Sequence, residues 1–314
     1  MKIIEPSVEL LRTGLEKEFV TPEQFIEKVG RTCYKSEDKI TEDSAAKFVS
    51  NLIKRGHEAI LEHWNLVFNA KDCAQDIVAD CEYLTTNCGY RCYLRFTRDE
   101  LLTRDIVSGN MRAWRDYAKT LIKEFGYIPR YMYGMIRNYP LFFPEYQDYV
   151  PPIFSYTILT PIKISELTPY ERKVHQNVTL KFICDRGVSH EIVRHRPASY
   201  AQESTRYCNY SLDKFGREIT VVRPSWCEED TEGYSYWRAS CDSAENDYFD
   251  LLDIGATAQQ ARSVLPNSLK TELVMTASLD EWEHFFKLRC APDAHPDMQE
   301  VAKLAKDVLY REAY

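Results

Sequence analysis

Long apolar runs are missing from this 314-residue chain, and no window approaches the roughly 18 apolar residues that a membrane-crossing helix needs. The N-terminal stretch MKIIEPSVELLRTGLEKEF has Glu5 and Pro6 where a secretory leader would be apolar, and it has no cleavage site of small residues. A cytoplasmic protein without membrane contact is expected. Neither Gly-x-Gly-x-x-Gly nor Gly-x4-Gly-Lys-Ser/Thr occurs, so the usual glycine-rich phosphate cradles are excluded. Any nucleotide must be held by side chains, and arginine suits that role because its planar fork meets phosphate through parallel hydrogen bonds. The 10 cysteines are too sparse and irregular for a secreted disulfide framework. Cys73, Cys81, Cys88 and Cys92 are the densest group. Only Cys88 and Cys92 have the spacing of a zinc half-site, no second pair completes it, and Arg95 stands where an iron–sulfur motif needs a third thiol. Reduced thiols and no metal are expected. A formal charge of −8 argues against general affinity for nucleic acid or anionic lipid.

What is present is strongly patterned. TPEQFIEKVGRTCY opens with a capping box of Thr21 and Gln24, has Pro22 at the first helical position, and presents Phe25, Ile26 and Val29 as its apolar face. EDSAAKFVSNLIKRG carries Ala45, Phe48, Val49, Leu52 and Ile53 on one stripe, with Gly56 placed to end the helix. Trp64, Leu66 and Phe68 alternate as in a half-buried strand. From about residue 70 to 175 the pattern blurs. Rich in aromatics and prolines, as in YIPRYMYGMIRNYPLFFPEYQDYVPPIF, this stretch reads as an insertion or subdomain packed by tyrosines, interrupting a single domain over 1–314.

Alternation returns at NVTLKFICD, with Val178, Leu180, Phe182 and Cys184 on one face. A short helix SHEIVRHR stopped by Pro197, a strand EITVVRP and a helix from Ser235 to Gly255 follow. TAQQARSVLP begins with a second capping box, Thr257 with Gln260, and is ended by Pro266. LKTELVMTA reads as a strand, SLDEWEHFFKLR as a helix with a third capping box of Ser278 and Glu281, and Pro296 to Tyr310 as a final helix. The mixture predicts an α+β fold, with helices packed on a mostly antiparallel sheet.

The chemistry concentrates in VRHRPASYAQESTRYCNYS, Val193 to Ser211, where Arg194, His195, Arg196 and Arg206 stand among hydroxyl side chains and Glu203 is the only acid. Cations at a helix C-terminus are favoured by about 0.3–1 kcal/mol, which accounts for one or two of these charges. It does not account for Ser199, Gln202, Ser204 and Arg206 in the loop beyond, and an anion site does. Ser204 lacks an assured base for a nucleophilic role, and only the nearby arginines favour a thiolate at Cys208.

RHRPASYAQESTRY resembles the signature of the flavin-dependent thymidylate synthases: Arg-His-Arg, seven residues, then Ser204 followed by Thr205, Arg206 and Tyr207. RGHEAILEH, Arg55 to His63, is similar to the family's histidine-containing helix-to-strand junction, and Ala261 to Arg289 to its C-terminal half. The likeness leaves out residues 70–175. It implies transfer of a methylene group from methylenetetrahydrofolate to C5 of dUMP, with FAD reduced by NADPH supplying hydride to make dTMP. It also implies that the pyrimidine is bound as its N3 anion without a protein nucleophile, and that the enzyme is a homotetramer with active sites between subunits.

The resemblance assigns dUMP to Glu191, Arg194, Gln202, Ser204, Thr205, Arg206, Arg262 and Arg289, with Arg289 as the catalytic residue. FAD falls to His57, Arg194, His195, Arg196, Gln202, Ser278 and His284. Arg289 shares a helical stripe with Trp282, Phe285 and Phe286, where a guanidinium is costly unless paired. An internal ion pair is the structural alternative, and stabilisation of an enolate-like ring the functional one. Three positions depart from the family pattern: Glu191 where some relatives have Gln, Ser278 where Asn is usual, and Asp280 where Arg is usual. The last two weaken the expected grip on flavin. Two rivals follow: a pyrimidine nucleotide hydroxymethylase of the same chemistry, and a non-catalytic nucleotide-binding relative.

Overall fold

The computed structural model describes residues 1–12, 21–99, 104–150 and 159–313. Strands β1 (Lys2–Ile4) and β2 (Ser7–Arg12) precede helices α1 (Pro22–Tyr34) and α2 (Ser44–Lys54). The middle of the chain forms β3 (Asn65–Asn69), α3 (Ala74–Cys88), β4 (Arg95–Asp99), β5 (Arg104–Asn110), α4 (Met111–Phe125), α5 (Tyr133–Asn138), β6 (Thr160–Pro161) and α6 (Pro169–His175). The last part holds β7 (Asn177–Asp185), α7 (Arg186–Ile192), β8 (Ser199–Gln202), β9 (Thr220–Val222) and α8 (Glu232–Asp253). It closes with α9 (Ala258–Ala261), β10 (Lys270–Ser278), α10 (Leu279–Arg289) and α11 (Pro296–Ala313).

Two antiparallel sheets form the α+β frame, in the orders β2-β7-β10-β8 and β4-β5-β3-β6, while β1 and β9 make a separate parallel pair. The long pairing of β7 with β10 sets Phe182 opposite Leu273 and Leu180 opposite Met275. These residues share one fully buried face with Val178, Cys184 and Ala277, packed against Trp282 and Phe285 of α10 and Ala302 and Ala305 of α11. Because side chains alternate along a strand, the opposite face takes Asn177, Thr179, Lys181, Glu272, Thr276 and Ser278. One sheet thus offers an apolar face to its helices and a largely polar face on the other side, where Asn177, Thr276 and Ser278 border a cavity.

The helix starts follow the expected chemistry at α1 and α9, where Thr21 with Gln24 and Thr257 with Gln260 form reciprocal capping boxes. Gly56 adopts φ +69° after α2, the left-handed turn that glycine makes without strain. The third capping box does not form. Ser278 precedes α10, but its hydroxyl bonds Asp280 and Arg95 instead of the helix backbone, and Asp280 accepts from the Glu281 amide at 2.9 Å. The helix before Pro197 also differs from expectation. Asp185 caps it by accepting from Val188, so α7 starts at Arg186 and ends at Ile192. Arg194 to Arg196 therefore lie in the turn beyond the helix.

Residues of the middle segment do not stand apart. Trp114, Tyr117, Tyr131, Phe142 and Phe143 are buried in one continuous core with Phe25, Ile26 and Val29 of α1 and Val274 of β10. Tyrosines contribute through polar pairing as well as packing: the Tyr117 and Tyr131 hydroxyls meet at 2.6 Å, one donating to the other, and both lie within hydrogen-bond distance of Asp80. Buried Arg115 holds Glu58 and Glu145, tying α4 to the turn before β3. Tails of the aromatic stretch at 151–158 lie outside the described residues.

Candidate active site

Helix α10 is anchored by Trp282, fully buried, whose indole donates to the Val178 carbonyl at 3.1 Å. With Phe285 and Phe286 also buried, the helix turns His284 to solvent and Arg289, its last residue, toward the turn after α7. Arg289 Nη2 donates to the Glu191 carbonyl at 3.1 Å, and Nη1 lies 3.6 Å from the Glu191 carboxylate. Arginine on the apolar stripe is thus partnered, but loosely, with about a third of Glu191 and a fifth of Arg289 exposed. The Arg289 Nε is buried without a hydrogen-bond partner.

His195 sits beside this pair. Its ring packs edge-on against Phe285 at 5.4 Å between centroids and lies 5.2 Å from the His284 ring. Burial, then the neighbouring His284, lowers its pKa to about 4, so the imidazole is neutral at physiological pH. His195 Nε2 and Glu281 Oε2 face each other at 3.5 Å, and both are buried without a hydrogen-bond partner. His284 Nδ1 is 3.6 Å from the same oxygen. These three groups bring ligand-type atoms within 4.8 Å of one another. The set would accept a hydrogen-bonding cofactor or a cation. The polar atoms at His195, Glu281 and Arg289 that lack protein partners are ones that a water or a bound polar molecule would satisfy.

Arg196 is exposed and donates to the carbonyls of Val193 and His195, with its guanidinium 5.2 Å from the Tyr200 ring. With Ser278 it lines a cavity of about 330 Å³ between β10 and the middle segment. The second half of the motif forms a different group. Ser204 accepts from the Arg206 amide at 3.4 Å, Arg206 donates to Gln259 at 3.1 Å, and Arg262 reaches Thr205 at 3.4 Å. Two exposed guanidiniums thereby flank two hydroxyls. Gln202 is turned inward, donating to Ser189 at 2.9 Å and Thr271 at 3.2 Å. Arg194 and His57 are exposed, and neither side chain has a hydrogen-bond or ionic partner among the described residues. No hydrogen bond or ion pair among the described residues joins the Arg206–Arg262 group to the His195–Arg289 group.

The motif's only acid is not available to a ligand. Glu203 is buried and paired with Lys270 at 2.8 Å. Glu272 collects Lys35, Lys181 and Lys270, whose charges and hydrogen bonds overcome burial and hold its carboxyl far below the usual range. Cys208 is buried as well, and desolvation followed by Glu203 pushes its thiol up to about 12. It is a packed thiol, not an activated nucleophile. Cys92 contacts Cys81 at 2.8 Å, and no cysteine joins a candidate metal cluster among the described residues.

Sequence reasoning passed over three residues. His63 is buried, with Nδ1 2.7 Å from Thr276, which in turn meets Thr179 at 2.8 Å, so this second histidine of the Arg55–His63 stretch supports the polar face of β10. Glu281 read as a capping residue, yet its carboxylate faces both histidines. Arg95, in the stretch without clear pattern, reaches Ser278 at 2.6 Å and Asp280 at 2.9 Å. No local signal marks it, because its partners lie far along the chain.

Comparison with known proteins places this site in a family. The model of a family described as thymidylate synthase complementing protein matches residues 15–81 and 168–313. A flavin-dependent thymidylate synthase of Pyrococcus furiosus is 35% identical over 130 residues, 41% of this chain and 52% of that protein. Proteins of the same name from Geobacter sulfurreducens (33% over 135 residues; 41% and 56%) and Sulfolobus acidocaldarius (35% over 126; 40% and 46%) are also similar. The chain spans about half the length of the curated relatives it matches. The family match covers both the N-terminal helices and the whole run that carries the motif, β10 and α10, and the chain belongs to the thymidylate synthase complementing protein family.

Proposed function

We propose that this protein is a flavin-dependent thymidylate synthase, a methyltransferase that converts dUMP to dTMP. The observation that carries the reading is the meeting of His195, His284, Glu281 and Arg289 around buried polar atoms that lack partners. The similar proteins named above are flavin-dependent by name, and the residues here fit such a cofactor. When bound, FAD reduced by NADPH supplies hydride, and methylenetetrahydrofolate supplies the carbon.

The chain's own residues address the weak nucleophilicity of uracil C5. Arg289 holds the pyrimidine as its N3 anion and stabilises charge that develops on the ring, releasing its loose contact with Glu191 to do so. Arg206 and Arg262, with Ser204 and Thr205 between them, bind the phosphate. Arg194 and Gln202 complete the dUMP set, and Gln202 exchanges its inward bonds for ligand. His195, neutral and rigid, orients the flavin as a hydrogen-bonding ring, with Arg196, His284 and Ser278 around it. No protein nucleophile takes part, in keeping with the protonated Cys208.

Exposed His57 and Arg194, and the gap between the two arginine groups, support a homotetramer whose active sites are completed by neighbouring subunits. We place the protein in the cytoplasm, without membrane or nucleic-acid partners. Among the described residues no helix is long and apolar enough to cross a membrane. In this reading 70–175 interrupts a single domain.

The test is tritium release from C5-labelled dUMP with FAD, NADPH and methylenetetrahydrofolate. Arg289→Ala is expected to reduce release by about 10²–10³-fold, the scale of losing one preorganised charge-stabilising donor. Its folding cost is about 1–2 kcal/mol, because it loses one hydrogen bond and a partly exposed pair. Unchanged release would overturn the assignment. Mass spectrometry of the product separates dTMP from a hydroxymethyl nucleotide.

A further inference from the structure

The cavity of about 330 Å³ is walled on one side by the core, through Asn177, Arg196 and Ser278. The other wall comes from a segment that the family model does not match, through Tyr93, Arg95 and Arg112. Three guanidiniums from three separate elements therefore border one space. Two carboxylates, Glu62 and Asp116, share it, and Arg112 engages both, at 2.7 and 3.4 Å. Arg196 has no carboxylate partner among the described residues. Uncompensated positive charge is left at Arg196, while Arg95 is paired with Asp280 and Glu281.

Arg95 is held by its surroundings in a way that a ligand can replace. Its Nη1 donates to the Val174 carbonyl at 3.0 Å, to the buried Ser278 hydroxyl at 2.6 Å and to Asp280 at 2.9 Å, with Glu281 at 3.6 Å from Nη2. The bonds to Val174 and Ser278 fix where the guanidinium sits. Arg95 is 30% and Asp280 40% exposed, so solvent screens their attraction, and Asp280 keeps the Ser278 hydroxyl and the Glu281 amide when the guanidinium turns to a ligand. A phosphate reaching the same guanidinium from the cavity gains charge-assisted, two-pronged contacts. Tyr93, 59% exposed, also lines the cavity and offers an aromatic surface for a flat base. The volume is at the lower bound for ligand cavities and suits half of a dinucleotide.

We propose that Arg95, from outside the family match, is a phosphate-binding residue for the adenosine-phosphate half of the dinucleotide cofactor in this cavity, exchanging Asp280 for the ligand. The inference rests on the flavin reading above, because Arg196 and Ser278 belong to both. It goes further by giving the unmatched segment a direct part in binding.

The test uses the full chain, wild type and Arg95→Ala, Arg95→Lys and Asp280→Asn, titrated with FAD, ADP, riboflavin and dUMP. Arg95→Ala is expected to weaken FAD and ADP alike by about tenfold or more, the effect of losing one or two charge-assisted hydrogen bonds. Riboflavin and dUMP stay within about twofold, since they do not reach this guanidinium in the proposed arrangement. Arg95→Lys recovers part of the loss, and Asp280→Asn tightens FAD and ADP by freeing the guanidinium. Equal weakening of all four ligands, or FAD affinity unchanged in Arg95→Ala, overturns the proposal. Weakening of dUMP alone also overturns it, by assigning the cavity to the substrate. If wild type binds no FAD, the flavin reading fails by itself. ADP still judges the cavity: loss of its affinity in Arg95→Ala supports the site, and no loss rejects it.

Discussion

Lowering the pH from about 7 to 5 is expected to remove about 2 kcal/mol of folding stability for each of His63 and His175. Both are almost wholly buried, at 1% and 0% exposure. Burial lowers each pKa to about 4, while the unfolded chain titrates near 6.5. Between those two values the unfolded chain binds protons that the folded chain refuses, so stability falls as pH falls and levels off below the folded value. The pair accounts for about 4 kcal/mol, a large share of the roughly 5–15 kcal/mol typical of a folded protein. His195, also near 4, adds a term of the same sign.

Asp80, Asp116, Asp185 and Glu300, raised by burial, take up protons in the folded state as pH falls and oppose the histidine slope, whereas the lowered carboxyls act below this window. Glu58, Glu145 and Glu171 would be raised by burial, but hydrogen bonds to Arg115 or Arg104 leave them lowered. Their stabilisation is present above the unfolded value and is lost only as pH falls below about 4.3. Urea unfolding followed by circular dichroism at intervals from pH 7 to 5 measures the slope. His175→Gln, which keeps a polar group near Ser108 and Thr97, should remove about half of the two-histidine contribution. A stability that stays flat across this interval would refute the reasoning.

Other outcomes follow from buried charge and thiol chemistry. Arg115→Ala removes a buried guanidinium from Glu58, Glu145 and the Phe142 carbonyl and is expected to cost about 1–3 kcal/mol, read as a fall in Tm, because Glu58 keeps Lys119 and Glu145 is partly exposed. Cys208→Ala should leave tritium release from labelled dUMP within about twofold, since a buried thiol titrating near 12 offers no nucleophile at neutral pH. A large loss of turnover with unchanged folding would restore the cysteine mechanism.

Local chemistry was legible wherever a few neighbouring residues decide the outcome. Thr21 and Thr257 cap their helices because their partners are three residues away, and Val178, Leu180 and Phe182 alternate because the strand period is two. Ser278 carries the same local signal and fails, since Asp280 and the distant Arg95 compete for its hydroxyl. The motif announced its arginines and His195, but not that Glu203 would turn inward to Lys270. Strands β4 and β5 were hidden because Arg95, Arg98, Arg104 and Asp105 break their alternation: Arg98 and Asp105 pair across the two strands, while Arg95 and Arg104 reach distant partners. Arg289 was placed on its stripe by periodicity, while its loose pairing with Glu191 depended on where the turn after α7 fell.

Burial of Glu203 against Lys270 has an electrostatic consequence for the loop above it. With its one carboxylate cancelled, the loop keeps the positive charge of Arg206, and the turn before it that of Arg194 and Arg196, exposed to solvent on a protein of charge −8. Capture of phosphate esters by these charges weakens with added salt, because mobile ions screen exposed charges beyond about 8 Å at physiological strength.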